Sequence, residues 1–167
     1  MERMRDWDAV SFFNDLTNRN KLAREKGFKF RRVSGLAGLD EMLASLQGTT
    51  SFVAVDDTDL GAISLDNSPH YNITKTVFLA MRHKPDDSVA RRNCIESMQQ
   101  LFGQFVSAIL PERVRLQQNS MTLNPSIRLQ TVTKMMTPGV ALMFFTISVT
   151  TYADLSYNED EWIEEEQ

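Results

Sequence analysis

VALMFFTISVTTYADLSY, residues 140–157, decides the fold. It has no Pro and no Gly. One parity is apolar nearly throughout: Ala141, Met143, Phe145, Ile147, Val149, Ala153, Leu155 and Tyr157, broken by Thr151. The other parity begins apolar at Val140, Leu142 and Phe144, then turns polar at Thr146, Ser148 and Thr150. Side chains alternate across a strand, so the pattern predicts a strand covered on both faces at its start and wet on one face later. Eighteen residues at about 3.3 Å each would span roughly 60 Å, several times the usual strand. Residues 127–136 precede it across the turn Thr137-Pro138-Gly139, so residues 126–157 read as an extended C-terminal β-hairpin.

Working back along the chain, Ile95, Met98, Phe102, Phe105 and Ile109 recur at spacings of three and four. They predict a long amphipathic helix over 88–110, capped by Asp87 or Ser88 and stopped by Pro111. Residues 114–122 read as a strand or an extended linker. Residues 73–82 are apolar on both parities near their end, which predicts a central strand. Residues 62–71 read as irregular, and 50–55 as a short strand. A helix over 36–46, a short strand at 28–33 and an amphipathic helix over 7–25, capped by Asp6 or Asp8, complete the pass. Helices and strands do not alternate strictly. The fold class is therefore α+β: a mostly antiparallel sheet with the long helix packed on one face. Residues 1–157 read as a single domain, and 158–167 as an acidic tail.

At 167 residues, 42% apolar and 24% charged, the chain has the composition of an ordinary globular domain with a real core. No apolar run is long enough for a membrane helix, and the N-terminus lacks the pattern of a secretory signal. One cysteine, Cys94, cannot form an internal disulfide, which fits a reducing, cytoplasmic setting. Net charge is −4, but seven acids and no bases follow residue 153, so the first 153 residues carry about +3. Residues 19–32 hold seven bases against Glu25. Opposite patches of this kind can meet on neighbouring copies, setting register and partner choice.

No motif carries chemistry. His70 and His83 have no carboxylate or cysteine at ligand spacing. Counted from Asp57 as a calcium loop, the sixth residue is Ala62 and the twelfth Ser68, where Gly and Glu are needed. No nucleophile turn, phosphate-binding loop or dinucleotide fingerprint is present. An enzyme would need a site assembled from Asp56, Asp57, Asp59 and His70 or His83. Phe28-Lys-Phe30-Arg-Arg32 interleaves aromatics with bases as single-strand binders do, but a charged edge strand explains it equally well. The expectation is no catalysis, no cofactor, no metal, no membrane contact and no specific nucleic-acid binding.

The element order, with a mid-chain strand pair, a long helix and a closing hairpin that begins Pro138-Gly139-Val140 and ends near Trp162, resembles the small tail-terminator and tail-completion proteins of tailed bacteriophages and related contractile particles. The resemblance covers about residues 50–160. It implies an α+β virion structural protein, assembled in the bacterial host cytoplasm as a ring-like homo-oligomer, usually hexameric. It also implies contacts to tail tube or connector proteins at the tail end or neck. It transfers no residue positions. The residues themselves nominate an interface at the hairpin tip and tail: Met135, Met136, Pro138, Val140, Leu142, Met143, Phe144 and Trp162. Adaptable methionines and aromatic anchors suit binding surfaces. The alternative is a small α+β module that binds a ligand or protein partner without catalysis.

Overall fold

The computed structural model describes residues 6–45, 51–58, 60–66, 68–132, 138–157 and 160. The elements run α1 (Ala9–Arg19), α2 (Lys21–Glu25), β1 (Phe28–Val33), α3 (Gly35–Ser45), β2 (Ser51–Asp56), β3 (Leu60–Ser64), β4 (His70–Arg82), α4 (Ser88–Gln118), β5 (Met121–Leu123), β6 (Arg128–Val132) and β7 (Val140–Tyr152). The strand that opened the sequence reading is β7. It is antiparallel to β4 over thirteen residues, from His70 opposite Tyr152 to Arg82 opposite Val140. These two long strands form the centre of a seven-stranded sheet of order β1-β2-β4-β7-β5. Shorter strands divide the flanks between them. On one side β2 pairs with the Val77–Met81 half of β4 and β3 with its His70–Thr74 half. On the other, β6 pairs with Leu142–Thr146 of β7 and β5 with Val149–Thr151.

The sheet is mostly antiparallel but mixed, because β1 lies parallel to β2 across the helix α3. The hairpin of β6 and β7 is present in its paired arms, while its tip, residues 133–137, lies outside the described residues. The strand also stops earlier than its pattern predicts. Pro69 has no N–H with which to extend the β4–β7 ladder, and its carbonyl accepts instead from the Ala153 N–H at 3.1 Å. Residues 153–157 leave the sheet there.

Each face of the sheet is covered differently. The odd parity of β7 packs with Val53, Val55, Val77 and Leu79 beneath α1 and α4 in the larger core, around Phe13, Met98, Leu101 and Phe105. The even parity packs beneath α3, where Val33, Leu39, Leu43, Phe52, Phe78, Val140 and Leu142 form a smaller core. That second cover ends with Phe78 and Phe144. Beyond it Thr74, Thr76, Thr146, Ser148 and Thr150 are half-buried, and Thr74 Oγ1 lies 2.8 Å from Ser148 Oγ. The change from apolar to polar parity along β7 thus marks where α3 stops.

Three boundaries differ from the sequence reading. The first helix breaks at Asn20, which has extended backbone and caps both sides: its N–H donates to Leu16 O, and its side chain accepts from Ala23 N at 2.8 Å. Pro111 does not stop α4, which continues to Gln118 with Glu112 and Leu116 buried. Strand β3 occupies a segment read as turn and irregular, and β5 takes the strand alternative at the end of the segment 114–122, read as a strand or an extended linker.

Candidate functional site

Two places could carry function: a charged cleft and an exposed end of the sheet. The cleft, about 410 Å³ in volume, is lined by Asp6, Trp7, Asp8, Arg32, Asp56, Asp57 and Lys75. It forms where the carboxyl ends of β1 and β2 meet the start of α1. Asp56 Oδ1 accepts from the Gly35 N–H (3.0 Å), the Thr58 N–H (2.9 Å) and the Thr58 hydroxyl (2.6 Å). Asp57 accepts from the Arg32 guanidinium at 2.9 Å and the Ser34 hydroxyl at 2.7 Å. The Ser34 hydrogen bond, then Arg32, holds its carboxyl below the ordinary carboxylate range. Asp8 caps α1 by accepting from Ser11 N at 2.9 Å, and the Ser11 hydroxyl first, then this backbone bond, hold its carboxyl below the ordinary range. Lys75 points inward from β4 and is 92% buried, with its ammonium 3.1 Å from Asp6. A buried ammonium needs such a partner to stay charged.

These groups satisfy one another. The two carboxyls whose protonation is displaced, Asp8 and Asp57, are both pushed down, whereas a general acid at neutral pH needs one pushed up. The geometry is a clasp that ties the first helix and the β1–α3 turn to the sheet. Among the described residues, no group of three His, Cys, Asp or Glu side chains is placed to hold a metal ion. Asp56 and Asp57 share the cleft, while Asp59 lies outside the described residues. His70 begins β4 and His83 follows its end. A thirteen-residue strand puts them roughly 40 Å apart, so they cannot meet in one site. Cys94 packs in the larger core, and burial pushes its thiol up.

The nominated interface residues have varied positions. Val140 and Leu142 are buried under α3, and Met143 is fully buried under α1 and α4. Phe144 is half-buried, its ring centroid 6.0 Å from that of Phe78. Pro138 is exposed. Met135, Met136 and Trp162 lie outside the described residues. The end of β7 apolar on both faces is therefore covered by this chain's own helices.

Exposed apolar side chains gather at the opposite end of the long strands. Among the described residues nine large apolar side chains are exposed, and six of them, Leu60, Ile63, Leu65, Tyr152, Leu155 and Tyr157, lie on β3, the end of β7 or the segments just beyond. Leu60 and Leu65 are 75% and 79% exposed. The sequence signal for this end was three aliphatic side chains, Leu60, Ile63 and Leu65, in a stretch, 56–68, that read as turn and irregular chain. Lys21, Arg24, Lys26, Lys29 and Arg31 are exposed on α2 and β1, the strand at one edge of the sheet. No helix among the described residues is long and apolar enough to cross a membrane. No protein-family model matches the chain, and no curated protein matches it.

Proposed function

We propose that the protein is a non-catalytic assembly protein that forms a ring-like homo-oligomer, in the manner of the phage tail-terminator proteins it resembles. In that role it would sit at a tail end or neck in the virion and touch tail tube or connector proteins. The observation that carries the assembly reading is the concentration of six exposed apolar side chains at one end of the β4–β7 pair. Single exposed apolar residues are ordinary, but six of the nine among the described residues fall at this one end, which makes it the part of the surface to test for an interaction site. The order of elements from β2 to β7 supports the resemblance, and the length of the central strands supports a scaffold role.

Leu60→Lys combined with Leu65→Lys tests this reading. Both positions are exposed, so the variant is expected to keep the circular dichroism spectrum and melting behaviour of the wild type. It is expected to elute as a monomer under conditions where the wild type is a larger species. A variant with wild-type mass would remove the distal end from the account. The cleft favours a second reading, a ligand- or partner-binding module without catalysis. A wild-type mass that stays monomeric at every concentration would favour that module.

A further inference from the structure

Strand β1 ends the sheet order β1-β2-β4-β7-β5, and among the described residues β2 is its one strand neighbour. Peptide groups alternate sides along a strand, so every second residue of β1 bonds to β2 and the others face away. Two hydrogen bonds fix which. The Val33 carbonyl accepts from the Asp57 N–H at 2.8 Å, just past the end of β2, so Lys29, Arg31 and Val33 turn their peptide groups inward. The Phe30 carbonyl instead accepts from Arg31 Nη1 at 3.0 Å, an exposed contact that another strand can displace. The peptide groups of Phe28, Phe30 and Arg32 therefore line the open edge. The surface along that edge is basic. Residues 21–32 hold six exposed bases. Arg32 is paired with Asp57, and the other five are set against Glu25 alone. A recess of about 440 Å³, lined in part by Thr17, Arg24, Phe28 and Lys29, opens beside the start of the strand. Single-strand nucleic acid fits this edge poorly, because it needs aromatic faces for its bases. Phe28 is buried and Phe30 packs against the larger core. What the edge offers is a row of peptide groups in a basic setting, which suits a strand of opposite charge. We infer that the β1 edge takes an extended acidic segment of a partner protein as an added strand. Its backbone lies along Phe28, Phe30 and Arg32, with one of its carboxylates in the recess beside Arg24 and Lys29. The same bases keep basic and neutral strands from pairing there indiscriminately. This surface shares no residue with the distal end, so it stands or falls apart from the assembly reading.

The test uses the isotope-labelled full chain and an acetylated octapeptide of alternating Glu and Val, with the Lys–Val counterpart as charge control. Amide hydrogen exchange along β1 is the readout. In the protein alone, the Phe30 and Arg32 amides are expected to exchange faster than those of Arg31 and Val33, which face β2. The Glu–Val peptide is expected to slow Phe30 and Arg32 at least tenfold, and the Lys–Val peptide to leave them unchanged. Arg32→Pro removes an outward donor while sparing the β1–β2 ladder. It is expected to bind the Glu–Val peptide at least tenfold more weakly than Arg32→Ala, which keeps the N–H, with circular dichroism confirming that both are folded. If the proline variant does not fold, exchange in the wild type decides. Equal exchange of the four amides in the free protein overturns the inference. So does a Glu–Val peptide that leaves Phe30 and Arg32 unprotected, or one matched by its Lys–Val counterpart. Equal binding by Arg32→Pro and Arg32→Ala also overturns it. An oligothymidylate that binds where the peptide does not would make the edge a nucleic-acid surface and overturn it as well.

Discussion

Trp7 and Glu112 show how single residues hold the start of the chain to the long helix α4. The Trp7 indole N–H donates to Glu112 Oε1 at 2.9 Å, and the Arg115 guanidinium grips the same carboxylate at 2.6 and 2.8 Å. The Arg115 hydrogen bonds are the main cause that holds Glu112 below its ordinary value of 4.5; burial opposes them, and the Trp7 bond assists. A carboxyl lowered in the folded state adds stability above its unfolded value, and this is lost as pH falls through the folded one. Glu112→Gln is therefore expected to lower the urea midpoint at pH 7, by about 1–3 kcal/mol of stability. It should also flatten the loss of stability expected of the wild type below about pH 4.5. An unchanged acid slope would show that other carboxyls dominate it. Gly139 is a second sensitive position. Its φ of +72° suits glycine, and a Cβ there would sit 2.8 Å from His83 O, beside the bond its own carbonyl accepts from His83 N. Gly139→Ala should cost about 1–3 kcal/mol in a thermal melt.

At the scale of elements, α4 and the β4–β7 pair are matched in length. Thirty-one residues of helix at 1.5 Å span about 46 Å, and thirteen residues of strand at about 3.3 Å span about 43 Å. A helix that stopped at Pro111 would leave Met121, Leu123 and the end of β7 without cover. The continuation instead buries Leu116 and delivers Glu112 to Trp7, which outweighs the roughly 3 kcal/mol that an interior proline costs. Pro111→Ala should consequently stabilise the protein by about 1–2 kcal/mol, because it restores an N–H donor without changing the packed face. A lower melting temperature would mean the proline shapes the helix usefully. The same element shows what the sequence could reveal. The stripe Ile95–Ile109 exposed the helix, and the parity of β7 exposed both its covered and its half-wet segments, because burial imprints periodicity directly. The extension past Pro111 was not legible, since it depends on the length of a distant sheet. Nor was the break at Asn20, where the side chain donates to Gln104 Oε1 at 2.8 Å on another helix. Strand β3 was missed, and β5 was left open between strand and linker, because short flanking strands owe their pairing to β4 and β7 and not to their own pattern. In the cleft, Asp56 and Asp57 stood out as neighbours, but the pairing of Lys75 with Asp6 spans 69 positions and leaves no local trace.

The whole molecule is lopsided along its long strands. One end is sealed on both faces by α1, α4 and α3, and the other is covered on one face only and carries the exposed leucines and tyrosines. Sequence pattern alone pointed to the sealed end as an interface, because strong apolar character reads the same whether a partner or the chain itself supplies the cover. With α3 covering Val140 and Leu142, the exposed apolar side chains among the described residues are concentrated at the distal end, and the proposed role rests there. Removing it should uncouple assembly from folding. The most direct test is the solution mass of the wild type by light scattering over a hundredfold range of concentration, beside Leu60→Lys/Leu65→Lys. The account predicts a discrete multiple of 19.1 kDa for the wild type and a folded monomer for the variant. A wild type that stays at 19.1 kDa throughout, or a variant that assembles as the wild type does, would contradict it.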